Sequence, residues 1–127
     1  MNDANGQKVV VLDPQSVSPD KMRYDRGTVR RLVGPQIGAS SLDLHINTIK
    51  AGSAAGPYHI HTNAENVYYV LSGEASIRSA DEIHVISAGH VAFIPPHVPH
   101  AVSNEGAGEL VIIEIYAPAG ADFEEVE

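Results

Sequence analysis

Short apolar runs recur about every ten residues along this chain, with Gly, Pro, Asn or Asp between them. That cadence constrains the fold more than any other feature. A surface helix needs apolar residues three and four apart over roughly ten or more positions, whereas a half-buried strand needs only about four to eight alternating residues. No long stretch carries the helical period, so the cadence predicts an all-β sandwich or barrel. The expected strands are Val9–Leu12, Thr28–Val33, Ser41–Ile49, Tyr58–His61, Asn66–Leu71, Ala75–Arg78, Ile83–Ile86, Val91–Ile94, His100–Ser103 and Glu109–Tyr116. Ser72-Gly73 and Ala88-Gly89 supply glycines for turns that need positive φ. Pro95-Pro96 and Pro99 cannot donate to a ladder, so they end one strand and force a corner before the next.

At 127 residues the chain is expected to form one domain with a sizeable core. Residues 1–27 read as a polar, proline-bearing lead-in with at most a short helical turn near Ser18–Tyr24. Residues 28–116 read as the barrel, and residues 117–127 as an acidic tail expected to fray. A formal charge of −8 argues against nucleic acid or an anionic membrane as the main partner. The absence of cysteine excludes disulfides and thiolate metal sites. No run approaches the ~20 apolar residues of a membrane span, and the polar start Met1-Asn2-Asp3 is no signal peptide, so a cytoplasmic location is expected.

Six of the seven histidines (59, 61, 84, 90, 97 and 100) fall in one window of 42 residues. His59 and His61 form a His-x-His pair, and in a strand such a pair puts both imidazoles on one face. His100, from a neighbouring strand, can complete one facet of a coordination sphere. Imidazole is mostly neutral near pH 7 and is the commonest metal ligand there.

The two histidine blocks resemble the paired motifs of the cupin superfamily, G-x5-H-x-H-x3,4-E-x6-G and G-x5-P-x-G-x2-H-x3-N. The second is matched at Gly89, Pro95, His100 and Asn104, with His97 standing where the family has glycine. The first is matched at Gly52, His59, His61 and Gly73, with an opening gap one residue longer than the pattern. Counting back from Gly73, Asn66 occupies the place of the family's metal-binding glutamate, and Glu65 precedes it. The resemblance spans roughly Ile49 to Tyr116. It implies a double-stranded β-helix, a jelly-roll barrel with both motifs at its mouth, one divalent transition metal on His59, His61 and His100, and a homodimer.

In a regular ladder Asn66, Tyr68 and Val70 share one face while Glu65, Val67 and Tyr69 share the other, so Asn66 faces the metal, as a weak fourth ligand or a hydrogen-bonding neighbour of His59, His61 and His100. A bulge between Thr62 and Glu65 would reverse this. Three imidazoles and an amide are all neutral, so a bound ion keeps its whole +2 charge and favours an anionic partner. Such a site suits Fe, Mn, Ni, Cu or Zn over Mg or Ca. Tyr68 and Phe93 are candidate pocket residues, each weighed against ordinary barrel core. In Leu42–Ile49, Leu42, Leu44, Ile46 and Thr48 alternate with Asp43, His45, Asn47 and Ile49. The polar face turns inward only if the interior is wet, so His45 is either a pocket residue or a partly exposed one. His84 and His90 read as surface residues, and His97 as either solvated on the proline corner or a base or substrate contact beside the ligands. Arg30 and Arg31 are read as surface residues, one of them a candidate partner for a substrate carboxylate.

Fold alone does not settle activity, because the cupin barrel hosts many chemistries. The leading reading is a small metalloenzyme acting on an organic acid, enediol or diketone as a dioxygenase, decarboxylase or isomerase. The alternatives are a non-catalytic module that binds a sugar or acidic metabolite, and a metal-free enzyme using the three histidines as acid, base and anion holder.

Overall fold

The computed structural model describes residues 8–119 and 122–126. Among them the strands are β1 (Asp20–Lys21), β2 (Gly27–Val33), β3 (Asp43–Ile49), β4 (His59–Ile60), β5 (Glu65–Ser72), β6 (Glu74–Ser79), β7 (Glu82–Ser87), β8 (Val91–Ile94), β9 (Ala101–Ser103), β10 (Leu110–Ala117) and β11 (Glu124–Glu125). There is no α-helix among the described residues, only three short 3-10 turns. No helix among the described residues is long and apolar enough to cross a membrane. The fold is the all-β jelly roll that the cadence and the motifs predict.

One wall is a six-stranded sheet in the order β1-β2-β3-β10-β5-β8. The other comprises β7-β6-β9 and the pair β11-β4, and β4 is tied to the chain just before β9 by a bridge between His59 and His100. Paired residues on neighbouring strands send their side chains to the same face. The register therefore writes the inner wall in rows, one of them Arg31–His45–Glu114–Tyr68 and the next Tyr116–Asn66–Ile94. Along β10 the inner residues pass from Leu110 and Ile112 to Glu114 and Tyr116. One end of the interior is thus apolar, a cluster of Ile49, Val70, Ala75, Ile77, Leu110 and Ile112, while the other is polar. Gly73 turns β5 into β6 at φ +84°, with its α-carbon so close to the Glu109 carbonyl that a β-carbon would stand 2.4 Å from that oxygen.

The outer face of the same sheet is written in apolar rows, Ile46–Ile113–Tyr69–Val91 and Leu44–Ile115–Val67–Phe93. Phe93 belongs here. The expectation that it lines the pocket is corrected: it is 57% exposed on the outside of edge strand β8, because Val91 and Phe93 alternate with inward Ala92 and Ile94.

Three local expectations also change. Val9–Leu12 forms no strand; Val9 and Val11 are exposed, since strand propensity has no effect without a neighbouring ladder to join. The lead-in holds 3-10 turns at Pro14–Ser16 and Arg23–Asp25 and the short β1, so the turn expected near Ser18–Tyr24 forms only at the end of that stretch, after β1. Within the tail, Glu124 and Glu125 pair with Ile60 and His59, so its described part is docked rather than frayed.

Candidate metal centre

His59 lies in β4, and His61, two residues on, points to the same face; both are buried. His100 sits directly opposite His59: each backbone N–H donates to the other's carbonyl, at 3.1 and 3.0 Å. This short antiparallel contact brings the second motif onto the first. One ring nitrogen from each of the three histidines lies within 4.8 Å of those of the other two.

Every Nδ1 in the trio faces a backbone carbonyl: His59 to Pro57 at 2.8 Å, His100 to Val98 at 2.9 Å, and His61 to Asp122. A carbonyl only accepts, so each Nδ1 carries the proton and each Nε2 presents a lone pair. Nε2 of His61 and Nε2 of His100 are buried without a hydrogen-bond partner. Burial lowers the pKa of His59, and lowers that of His100 to about 4 against the opposing effect of the Val98 carbonyl. Both rings are therefore neutral at pH 7, as ligands must be.

Asn66 is fully buried and Glu65 is exposed, as the regular-ladder reading expects. The Asn66 Nδ2 donates to Glu114 Oε2 at 3.2 Å and to the Ile115 carbonyl at 3.0 Å. Both partners are acceptors, which settles the amide orientation and leaves Oδ1 buried and unpartnered. An orphaned buried acceptor costs about 1–3 kcal/mol, so three orphans among these side chains call for a shared partner. Two imidazole lone pairs and an amide oxygen are the donor set a borderline transition metal takes, so the residues fit the ion that the resemblance implies.

His59 and His61 open into a cavity of about 340 Å³ whose wall also includes His45, Asn47, Tyr68, Glu114 and Tyr116. Glu114 is 4% exposed and accepts from Asn47 Nδ2 at 2.7 Å and from Asn66 Nδ2, with Tyr68 and Tyr116 flanking it in register along the inner wall. Burial, and then the neighbouring Glu114, push both tyrosine pKa values well above 10. Asn47 uses its amide nitrogen on Glu114, so its Oδ1 accepts from His45 Nδ1 at 2.7 Å. That leaves His45 Nε2 as the acceptor nitrogen on the cavity wall.

The polar face of β3 is thus the inner one, and His45 and Tyr68 line the cavity. Arg31, paired with His45 in register, also reaches it, whereas Arg30 donates to the Val17 carbonyl. His84 and His90 are exposed. His97 is exposed at φ +67°, the left-handed conformation that explains why the family motif has glycine there. Asn104 is fully buried and donates to the carbonyls of Ile49, Lys50 and Gly108, stapling the turn after β9.

Sequence reasoning missed Glu114, Asp122 and Phe123. Glu114 interrupts an otherwise apolar strand, a signal available in Val111-Ile112-Ile113-Glu114-Ile115. The Asp122 carboxylate accepts from Thr62 N, Thr62 Oγ1, Asn63 N and Ala64 N at 2.6–2.8 Å, while the Asp122 carbonyl holds His61. These hydrogen bonds drive its pKa well below the usual carboxylate value, overcoming the opposing effect of partial burial. Phe123 stacks on His59 with centroids 4.4 Å apart, and the Arg23 guanidinium covers its ring at 4.7 Å.

Comparison with known proteins agrees with this geometry. An uncharacterized protein of Methanocaldococcus jannaschii is 24% identical over 106 residues, 84% of each chain. The polyketide cyclase RemF of Streptomyces resistomycificus superposes with a TM-score of 0.82 at 19% identity, over 94% of this chain and 87% of that one. A predicted oxalate decarboxylase of Thermotoga maritima gives 0.76 at 18% identity, over 87% and 100%. These likenesses are of fold. The sequence pattern of the cupin domain matches residues 45–116, more than half of the chain and both histidine blocks, and the chain belongs to the cupin family.

Proposed function

We propose that this protein is a metalloenzyme that takes a small anionic organic acid and moves a proton on it, as in isomerisation or decarboxylation through an enediolate. The observation that carries this reading is the trio of histidines with every Nδ1 tied to a carbonyl, two of them, His59 and His61, lining a cavity also walled by His45 and Glu114. A divalent transition metal held by His59, His61 and His100, with Asn66 beside them, supplies Lewis acidity towards substrate oxygens.

The chain's own residues supply the rest. Lys21, Arg23, Arg26 and Arg31 line the cavity, half of the eight basic residues in a chain of net charge −8. That concentration favours a substrate bearing a carboxylate. His45 Nε2, its ring fixed through Asn47 to Glu114, is the base for a substrate proton. The Tyr68 and Tyr116 hydroxyls stay protonated, and Asn47 and Asn66 hold Glu114 in place. This equipment for proton transfer favours enediolate chemistry over O2-dependent cleavage.

The test is metal analysis followed by substrate screening. About one Fe, Mn, Ni, Cu or Zn per chain, lost in His100→Ala, together with turnover of a hydroxy- or keto-acid, supports the reading. A protein without stoichiometric metal whose activity survives His59→Ala sinks it. Acids bound tightly but returned unaltered would make it a binding module.

We also infer that two copies pair through the outer face of the six-stranded sheet. Apolar rows crossing four adjacent strands, with Tyr69, Val91 and Phe93 exposed, form a surface that a two-fold axis can cover with its own copy.

A further inference from the structure

The family motif places a glutamate where this chain has Asn66, yet a buried carboxylate lies one hydrogen bond behind that amide. We propose that Glu114 is a positioning residue for the metal centre: it turns Asn66 Oδ1 into the fourth ligand and supplies from behind the negative charge that the ligand itself lacks. This rests on the metal-centre reading above and deepens it.

Three observations converge. First, Asn66 is pinned. Its Nδ2 donates to Glu114 Oε2 and to the Ile115 carbonyl, so the amide cannot turn over without facing its oxygen toward two acceptors. Second, the oxygen so presented is buried and unpartnered, as are Nε2 of His61 and Nε2 of His100. Third, the two sites are linked by packing. Tyr116 lies beside Asn66 in register and meets the His61 ring edge-on at 4.8 Å; Tyr68 lies beside Glu114 in register and approaches His100 at 6.1 Å.

Glu114 therefore sits where a carboxylate can act on the ion through Asn66 without occupying a coordination position. A partner behind a ligand orients it and strengthens it as a donor, and loss of such a partner typically costs about 10–100-fold in metal affinity. The arrangement keeps the ligand set neutral while its surroundings carry one negative charge. That combination still leaves the ion receptive to an anionic substrate.

The test uses the purified full chain, stripped of metal and titrated with Zn2+ against a chromophoric chelator, with Co2+ as a spectroscopic stand-in. Glu114→Gln sets an amide NH2 against donors and frees the Asn66 side chain. Zinc affinity is expected to fall roughly 10–100-fold, with a changed cobalt d–d spectrum, while His59, His61 and His100 keep residual binding. The double variant Asn66→Asp with Glu114→Gln moves the carboxylate onto the metal, and recovery of affinity to within about threefold of the wild type is expected. Zinc affinity in Glu114→Gln within about threefold of the wild type, with an unchanged cobalt spectrum, overturns the proposal and leaves the metal centre standing. A wild-type chain that binds neither ion overturns both. Should Glu114→Gln not fold, Asn66→Ala carries the test, because it removes Oδ1 while Glu114 keeps its hydrogen bond from Asn47. Unchanged zinc binding in that variant overturns the proposal, and a fall of tenfold or more supports it.

Discussion

Asp122→Ala should unfasten the C-terminal segment and loosen the metal centre with it. The wild-type carboxylate receives four hydrogen bonds at 2.6–2.8 Å from three consecutive backbone N–H groups and the Thr62 hydroxyl. A hydrogen bond to a charged group contributes about 1.5–3 kcal/mol, so the gross total is roughly 6–12 kcal/mol. Two corrections reduce it. Water replaces the lost acceptor at the more open Thr62 and Asn63, and release of the tail regains about 1–2 kcal/mol of entropy per residue. A net loss of about 2–4 kcal/mol remains. Asp122→Asn should cost nearly as much, because one of its two terminal atoms becomes a donor facing donors. Glu124→Ala, at an exposed position, should stay within about 0.5 kcal/mol. Urea unfolding of the three variants at pH 7 measures this, and zinc titration measures the cost to His61, whose Nδ1 rests on the Asp122 carbonyl. The pH dependence has a definite sign. The folded pKa lies below the unfolded 3.8, so the contribution is complete above about pH 4 and is lost as pH falls through the folded value. The gap between wild type and Asp122→Ala should therefore hold at pH 5 and narrow below pH 3.8. An Asp122→Ala midpoint equal to that of the wild type at pH 7 would refute the clamp.

Four further outcomes are expected. In metal-free protein the folded His100 pKa of about 4 lies below the unfolded value of 6.5, so its contribution is present above pH 6.5 and falls away as pH drops towards 4. That amounts to about 3 kcal/mol by linkage, read from melts across the window, and a flat profile there would contradict it. His45→Gln should lower kcat by about 10²–10⁴ with zinc affinity unchanged, and equal turnover would remove His45 as the base. Gly73→Ala should cost about 2–4 kcal/mol, from its positive φ and the 2.4 Å approach to the Glu109 carbonyl, as measured by chemical unfolding. Phe93→Glu should convert a dimer to a monomer in sedimentation equilibrium without loss of the zinc site; a wild-type chain that already sediments as a monomer refutes the pairing.

The sequence by itself determined the strand cadence and the shared face of His59 and His61, and made the direction of Asn66 depend on whether the ladder leading into β5 is regular. Period-two alternation and turn chemistry are local, and they need no knowledge of what lies across the sheet. The tertiary structure decided the rest. Both faces of β10 and β8 are apolar in sequence, so alternation groups Glu114 with Tyr116 and Phe93 with Val91 but does not say which group faces inward. Closure of the barrel makes that choice, sending Glu114 in with His45 and Tyr68 and Phe93 out. Asp122 meets Thr62–Ala64 across about sixty residues of chain, and no local pattern encodes such a contact. Pairing across that distance depends on where β10 delivers the chain after all the preceding strands are laid down, and only the assembled fold fixes that point.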